Sequence, residues 1–167
     1  MGRSSVKENK SIYQITREEL KLTREKASEL IGYMSPERIE KIENARVSVQ
    51  PEDVMALAKC YKTPKLCNYY CAHECPIGKK YVPEVEIKDL AQITIETLNS
   101  LNKINREKDR MLEIIEDGKI TEDEVADFVC IKKTLDKISL SVDTLQLWVD
   151  QAIADGNLDE SMFTDET

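Results

Sequence analysis

Glycine and proline are scarce in this chain, five of each in 167 residues, and aromatic residues make up only 5%. So few backbone breakers exclude a fold of many short strands and tight turns, and with 34% charged residues the composition points to helices. No run of about 18 apolar residues occurs, which excludes a membrane-crossing helix. The N-terminal stretch MGRSSVKENK is basic but is followed by no apolar segment of the kind a secretory signal needs, so the expected compartment is the cytoplasm. There is one histidine, with no Ser or Asp at triad-like placement, and no glycine-rich phosphate loop, so an enzyme is not expected.

What the chain does have is charge, unevenly spread. Residues 1–80 hold 15 Lys+Arg against 11 Asp+Glu, a net +4, while residues 81–167 hold 9 against 21, a net −12, which together give the −8 of the whole. The first half can therefore approach a polyanion that the second half would avoid.

The apolar spacing predicts an all-α protein. Ser11 is an N-cap for a first helix with Ile12, Ile15, Leu20 and Leu22 inward, and Thr23 caps a second with Ala27, Leu30 and Ile31 inward, ended by Gly32. Ser35-Pro36 starts a third, because Ser accepts from the first unpaired amides and Pro has no N–H to leave unpaired. Ile39 and Ile42 then face the core and leave Glu37, Arg38, Glu40 and Lys41 outside. Pro51 starts a fourth helix (Val54, Leu57, Ala58 and Tyr61 inward) and Pro64 a fifth. Pro76, Gly78 and Pro83 mark residues 76–85 as a linker.

Beyond it Ile87, Leu90, Thr94, Leu98, Leu101, Ile104, Lys108, Met111 and Ile115 keep a near-heptad spacing to Gly118. Thr121 with Glu124 reads as a capping box before a second stripe of Val125, Phe128, Leu135, Ile138, Val142, Leu145 and Val149. The short connection implies an antiparallel, coiled-coil-like hairpin. Two helices alone have little core, so the hairpin is expected to pair with a second copy, and Trp148 widens its apolar surface. The expected organisation is a five-helix domain over 1–75, a linker over 76–85, a dimerising hairpin over 86–156 and a disordered acidic tail over 157–167.

From Leu22 to Ala45 the chain reads LTREKASELIGYMSPERIEKIENA, and it continues into VMALAKCY. Leu22, Thr23, Glu25, Gly32, Ser35, Ile39, Ile42, Glu43 and Asn44 resemble the pattern of Cro/CI-type helix-turn-helix regulators, the XRE family, over about residues 10–70. The resemblance implies a lambda-repressor-like domain that binds double-stranded DNA and so a transcription regulator, and the pairing expected of the hairpin would fit two half-sites about 34 Å apart. It places Ser35, Arg38 and Lys41 toward DNA and Arg46 in a loop that touches phosphate. Arg24 stands where the family usually has Gln and still permits a phosphate contact. Arg38 can address guanine bidentately, and a carboxylate such as Glu37 accepts only from a cytosine amino group. The turn is one residue longer than the family pattern, with Tyr33 and Met34 in place of one apolar residue.

Four of the five cysteines, Cys60, Cys67, Cys71 and Cys75, fall close together. Cys67, Cys71 and Cys75 are spaced by four, along one face if helical, with His73 among them. Such groups suit Zn²⁺ or an iron–sulfur centre, although the spacing is neither that of paired CxxC zinc sites nor that of the common ferredoxin run. Buried packing and reversible disulfide formation remain open beside metal binding. Cys130, in the second long stripe, is expected in the core. The sequence thus leaves two alternatives to a DNA-binding regulator: a protein-interaction module on the same scaffold, and a metal or redox sensor using the Cys60–Cys75 cluster.

Overall fold

The computed structural model describes residues 10–116 and 118–163. Among these the protein is entirely helical, with no strand: α1 (Ile12–Glu19), α2 (Arg24–Ile31), α3 (Pro36–Glu43), α4 (Pro51–Tyr61), α5 (Lys65–His73), α6 (Gly78–Tyr81), α7 (Leu90–Ile115), α8 (Val125–Ala154) and a 3-10 turn at Glu160–Met162. The chain divides into two compact units, one of the residues up to Glu84 together with those from Asp150 on, the other of Val85–Val149.

In the first unit the helix starts follow the caps. The side chains of Ser11, Thr23 and Ser35 accept from the amides of Gln14, Lys26 and Arg38 at 3.3, 3.1 and 3.2 Å. Gly32 ends α2 at φ 86, a conformation that disfavours any side chain. Tyr13, Ala27, Met34, Ile39, Ile42, Val54, Leu57, Ala58, Tyr61 and Leu66 form one buried cluster joining α1 to α5. Each large member stabilises the fold by roughly 1.5–3 kcal/mol, which is what holds helices too short to persist alone. In the longer turn Tyr33 stands 74% exposed while Met34 is buried, so the added residue is thrown outward and the apolar slot is still filled.

The inward faces of α3 and α4 are those the spacing predicts, but that of α1 is not. Ile15 and Leu20 are exposed, and the buried residues are Tyr13, Gln14, Thr16 and Arg17. A buried arginine needs a partner, and the partner lies on α3. On α2 Ala27 is buried as expected, whereas Leu30 is exposed.

Residues 76–85 are not an open connector throughout, because α6 lies within them. Gly78 sits so close to α5 that a Cβ there would stand 2.1 Å from the carbonyl oxygen of Cys71. Asn68 also donates to the Pro83 carbonyl oxygen at 3.0 Å. The boundary accordingly falls after Glu84. At the other end, Gln151 donates to the Lys62 carbonyl oxygen at 3.1 Å, and the last residues of α8 join the first unit. Part of the expected tail is ordered: Asp159 caps the 3-10 turn through the Ser161 amide at 2.9 Å. Residues 164–167 lie outside the described residues.

In the second unit α7 starts at Asp89, whose side chain accepts from the Gln92 amide at 2.9 Å. Glu124 accepts from the Thr121 amide at 3.0 Å before α8 begins. Arg110 to Asp127 at 2.7 Å and Thr134 to Glu107 at 3.3 Å pair the two helices antiparallel. The buried positions are Val85, Ile93, Ile114, Ile131, Thr134, Ser141, Thr144 and Leu147. The predicted stripes are not the buried seam: Leu90, Leu98, Leu101, Ile115, Phe128, Leu135, Val142 and Leu145 all remain exposed. Cys130 is exposed as well, 3.6 Å from Glu107 Oε1. The seam tolerates hydroxyls because each donates to its own helix: Thr134, Ser141 and Thr144 bond the carbonyl oxygens four residues earlier.

Candidate nucleic-acid interface

The angle between α2 and α3 is fastened by one carboxylate. Glu43 follows Ile39 by four and Ile42 by one, so it lies on the inward face of α3, and its side chain is wholly buried. It accepts from Arg17 Nε at 2.5 Å and Nη2 at 3.0 Å, and from Arg24 Nε at 2.8 Å. Arg17 Nη1 also donates to the Leu22 carbonyl oxygen at 2.6 Å. Three helices therefore converge on a single charge. Although burial opposes its charged form, Arg17 is raised above the ordinary arginine range by its bond to Glu43. The outward reach of Arg24 is reduced by the same arrangement, but its side chain stays 30% exposed.

The N-terminal turn of α3 carries three of the sequence-predicted contact residues. Ser35 is its cap. Glu37 is exposed and held below the usual carboxylate range, first by a hydrogen bond from Ser35 and then by its own backbone and Lys41. A carboxylate there favours the positive end of the helix, so Glu37 serves α3 itself. Arg38 reaches across to the first turn of α4, where Nη2 donates to Asp53 Oδ2 in a close ion pair and lies 3.5 Å from the Ser48 carbonyl oxygen. That pair raises Arg38 above its ordinary range. Asp53 Oδ2 also accepts from the Gln50 amide at 3.1 Å. Lys41, a turn further along α3, is exposed. Arg46, in the α3–α4 loop, is 66% exposed and 3.4 Å from Glu40.

Arg24, Ser35, Glu37, Arg38, Lys41 and Arg46 thus all belong to the α2–α3 region and the loop after it. Arg17, Glu43 and Asp53, which govern the placement of Arg24 and Arg38, are absent from the sequence-predicted site. Glu43 alone had a local signal, because a carboxylate at a core-facing spacing requires a buried cation.

The cysteines do not converge. Cys67 and Cys71 are on α5, and Cys75, beyond the end of that helix at His73, accepts from the Gly78 amide at 3.4 Å. His73 stacks on Tyr69 and lies 2.9 Å from Glu84. Burial pushes the Cys67 and Cys60 thiols up, which favours the protonated form over the metal-binding thiolate. Among the described residues no three His, Cys, Asp or Glu side chains are placed to hold a metal ion, so the residues present do not fit a zinc or iron–sulfur group.

Five short helices around one core, with α2 and α3 joined by a glycine turn and α3 displayed beside basic side chains, define a helix-turn-helix unit. Residues 14–72 match the family described as "Helix-turn-helix domain", and this segment is such a domain. No curated protein and no solved structure matches the chain. Among the described residues no helix is long and apolar enough to cross a membrane.

Proposed function

We propose that the protein is a DNA-binding transcription regulator that acts as a dimer, with α3 of each copy entering a major groove and the α7–α8 hairpin joining the copies. The observation that carries the reading is the helix-turn-helix domain, whose α2–α3 angle is fixed by Glu43 while Arg24, Lys41 and Arg46 remain available to phosphate. Three such contacts per copy, six per dimer, predict a log affinity falling with log salt at a slope of about −5. Titrating salt against binding to a random-sequence duplex tests this. A loss of about a thousand-fold between 50 and 200 mM is expected, and no binding at low salt would end the proposal.

Pairing through the hairpin is supported by how little of its apolar surface the hairpin covers by itself. Leu90, Leu98, Leu101, Leu112 and Ile115 flank the α7 seam in one rotational sense, and Phe128, Leu135, Val142 and Leu145 flank the α8 seam in the same sense. In antiparallel helices these two stripes fall on one broad face. Together with Ile95 and Val129 they leave on the order of 1,000 Å² of apolar surface open, enough for one side of a stable interface. A four-helix dimer would cover that face.

One observation favours a second reading, in which α3 docks a protein. Glu37 and Glu40 stand on its outer side, and Arg46 lies against Glu40. Absence of salt-sensitive DNA binding, with a folded helix-turn-helix domain, is the outcome that reading predicts.

A further inference from the structure

The second acidic group beside α3 is Asp53, and its position differs in kind from those of Glu37 and Glu40. It belongs to α4, its side chain is only 15% exposed, and one of its oxygens accepts both the Gln50 amide and Arg38 Nη2. The Gln50 bond makes the carboxylate a fixed part of the first turn of α4, so it cannot follow Arg38 when that side chain moves. Arg38 sits in the first turn of α3, where groove-entering helices contact base edges. Its side chain remains one-third exposed.

Two outcomes are open to an arginine held in this way. A carboxylate can neutralise it, or it can hold one nitrogen so that the rest of the planar fork faces outward in a single orientation. The geometry favours the second. Asp53 and the Ser48 carbonyl oxygen both lie against Nη2, on the side of the loop and α4. With both Nη2 hydrogens engaged, neither two-nitrogen edge of the guanidinium is free, and what remains for a base is donation from Nη1 alone, its direction fixed by the hold on Nη2. A freely rotating arginine loses side-chain entropy on ordering at a base, and an arginine already held loses less.

We infer that Asp53 is a positioning residue for base reading: it holds Arg38 by Nη2 so that Nη1 donates to one guanine, and thereby sets the sequence preference of the domain at one base pair. This rests on the DNA-binding reading above. It also divides the contacts, with Arg38 supplying discrimination and Arg24, Lys41 and Arg46 supplying salt-dependent affinity.

The test selects from a pool of duplexes with a randomised central stretch, at low salt, using the full chain and its Arg38→Ala, Asp53→Ala, Asp53→Asn and doubly substituted variants, each checked for helical content. Wild type is expected to enrich a motif in which one G·C pair loses its preference in Arg38→Ala, by about ten-fold, the loss of one charged hydrogen bond. Asp53→Ala is expected to lose preference at that same pair and at no other, and the double variant to be no worse than either single one. Asp53→Asn, which keeps an oxygen to accept from both donors, is expected to restore most of the preference. A merely structural role for Asp53 would weaken every position alike and would not single out the Arg38 pair.

Asp53→Ala with the wild-type preference intact would overturn the inference, as would uniformly tighter binding to every sequence, which would make Asp53 a simple repeller of phosphate. Were Asp53→Ala to unfold, Asp53→Leu takes its place: a loss confined to the Arg38 pair supports positioning, and losses at other positions, or none, overturn it. Wild type that enriches no duplex and binds none at low salt would overturn the DNA-binding reading and this inference together. Enrichment by wild type with Asp53→Ala losses spread over every position would overturn this inference alone.

Discussion

Replacing Glu43 by alanine is expected to be the most damaging single change in the helix-turn-helix domain. The side chain is wholly buried and receives three N–H bonds, two from Arg17 and one from Arg24. Its removal leaves Arg17, itself only 6% exposed, with the Leu22 carbonyl oxygen as its remaining hydrogen-bond acceptor and only the Glu18 carboxylate, 3.9 Å from Nη2, as a weaker countercharge. Breaking a buried ion pair in this way costs about 3–5 kcal/mol, a large share of the 5–15 kcal/mol typical of a whole domain. Because one arginine bond survives, we take the lower end, about 3 kcal/mol. In a unit of this size that lowers Tm by about 12–24 °C. Urea unfolding followed by circular dichroism would read it as a lower midpoint with an unchanged slope.

The same reasoning predicts a gentler result for Arg24→Ala, because that side chain is partly solvated and costs about 1 kcal/mol at most. It also predicts recovery when the pair is replaced by apolar groups. Arg17→Met with Glu43→Leu should regain at least half of the loss, since no uncompensated charge then stays buried. A Glu43→Ala protein within about 1 kcal/mol of wild type would refute the reasoning, as would a double variant no better than the single one.

Three other predictions concern separate parts of the molecule. The Tyr61 hydroxyl is buried without a hydrogen-bond partner among the described residues, and burial holds it well above its ordinary value near 10. A raised tyrosine contributes stability that is present below that value and lost as pH rises from it, so Tyr61→Phe should match or exceed wild type at neutral pH and lose less stability above pH 10 in alkaline unfolding. Tyr13, raised by burial and then by Glu74, retains its own contribution. Gly78→Ala should force the chain off the Cys71 carbonyl oxygen at a cost of about 1–3 kcal/mol. Hydrogen exchange should then quicken at the Val82 amide, which bonds the Gly78 carbonyl oxygen at 2.7 Å, while the segment 14–72 stays protected. Leu98→Lys with Leu145→Lys should leave helical content unchanged and shift sedimentation from dimer to monomer; a monomeric wild type would dispose of the hairpin as a pairing module.

Much of the first domain could be read from local rules. The starts of α1 to α3 follow Ser11, Thr23 and Ser35, and the inward residues of α3 and α4 follow the helical period, because both depend on contacts within a few residues. The α1 face was not legible from apolar spacing, since Arg17 turns a polar position inward only by virtue of Glu43, 26 residues away. The cysteine spacing suggested one shared face, but the end of α5 at His73 separates Cys75 from the helix. In the hairpin the heptad pattern identified two long helices and their apolar stripes, yet not which stripe the helices would bury against each other, because both neighbouring faces of each helix carry enough apolar groups to serve.

Sequence alone therefore determined that LTREKASELIGYMSPERIEKIENA is a helix-turn-helix and that Arg24, Arg38 and Lys41 in it, with Arg46 just after it, are the candidate contact cations. Only the tertiary structure decided which of them are tied. Arg24 is drawn to Glu43 and Arg38 to Asp53, while Lys41 and Arg46 keep their exposure. The reason is that helix starts and periods are set by neighbours along the chain, whereas the partner of a charge is set by whichever opposite charge the packing brings near it.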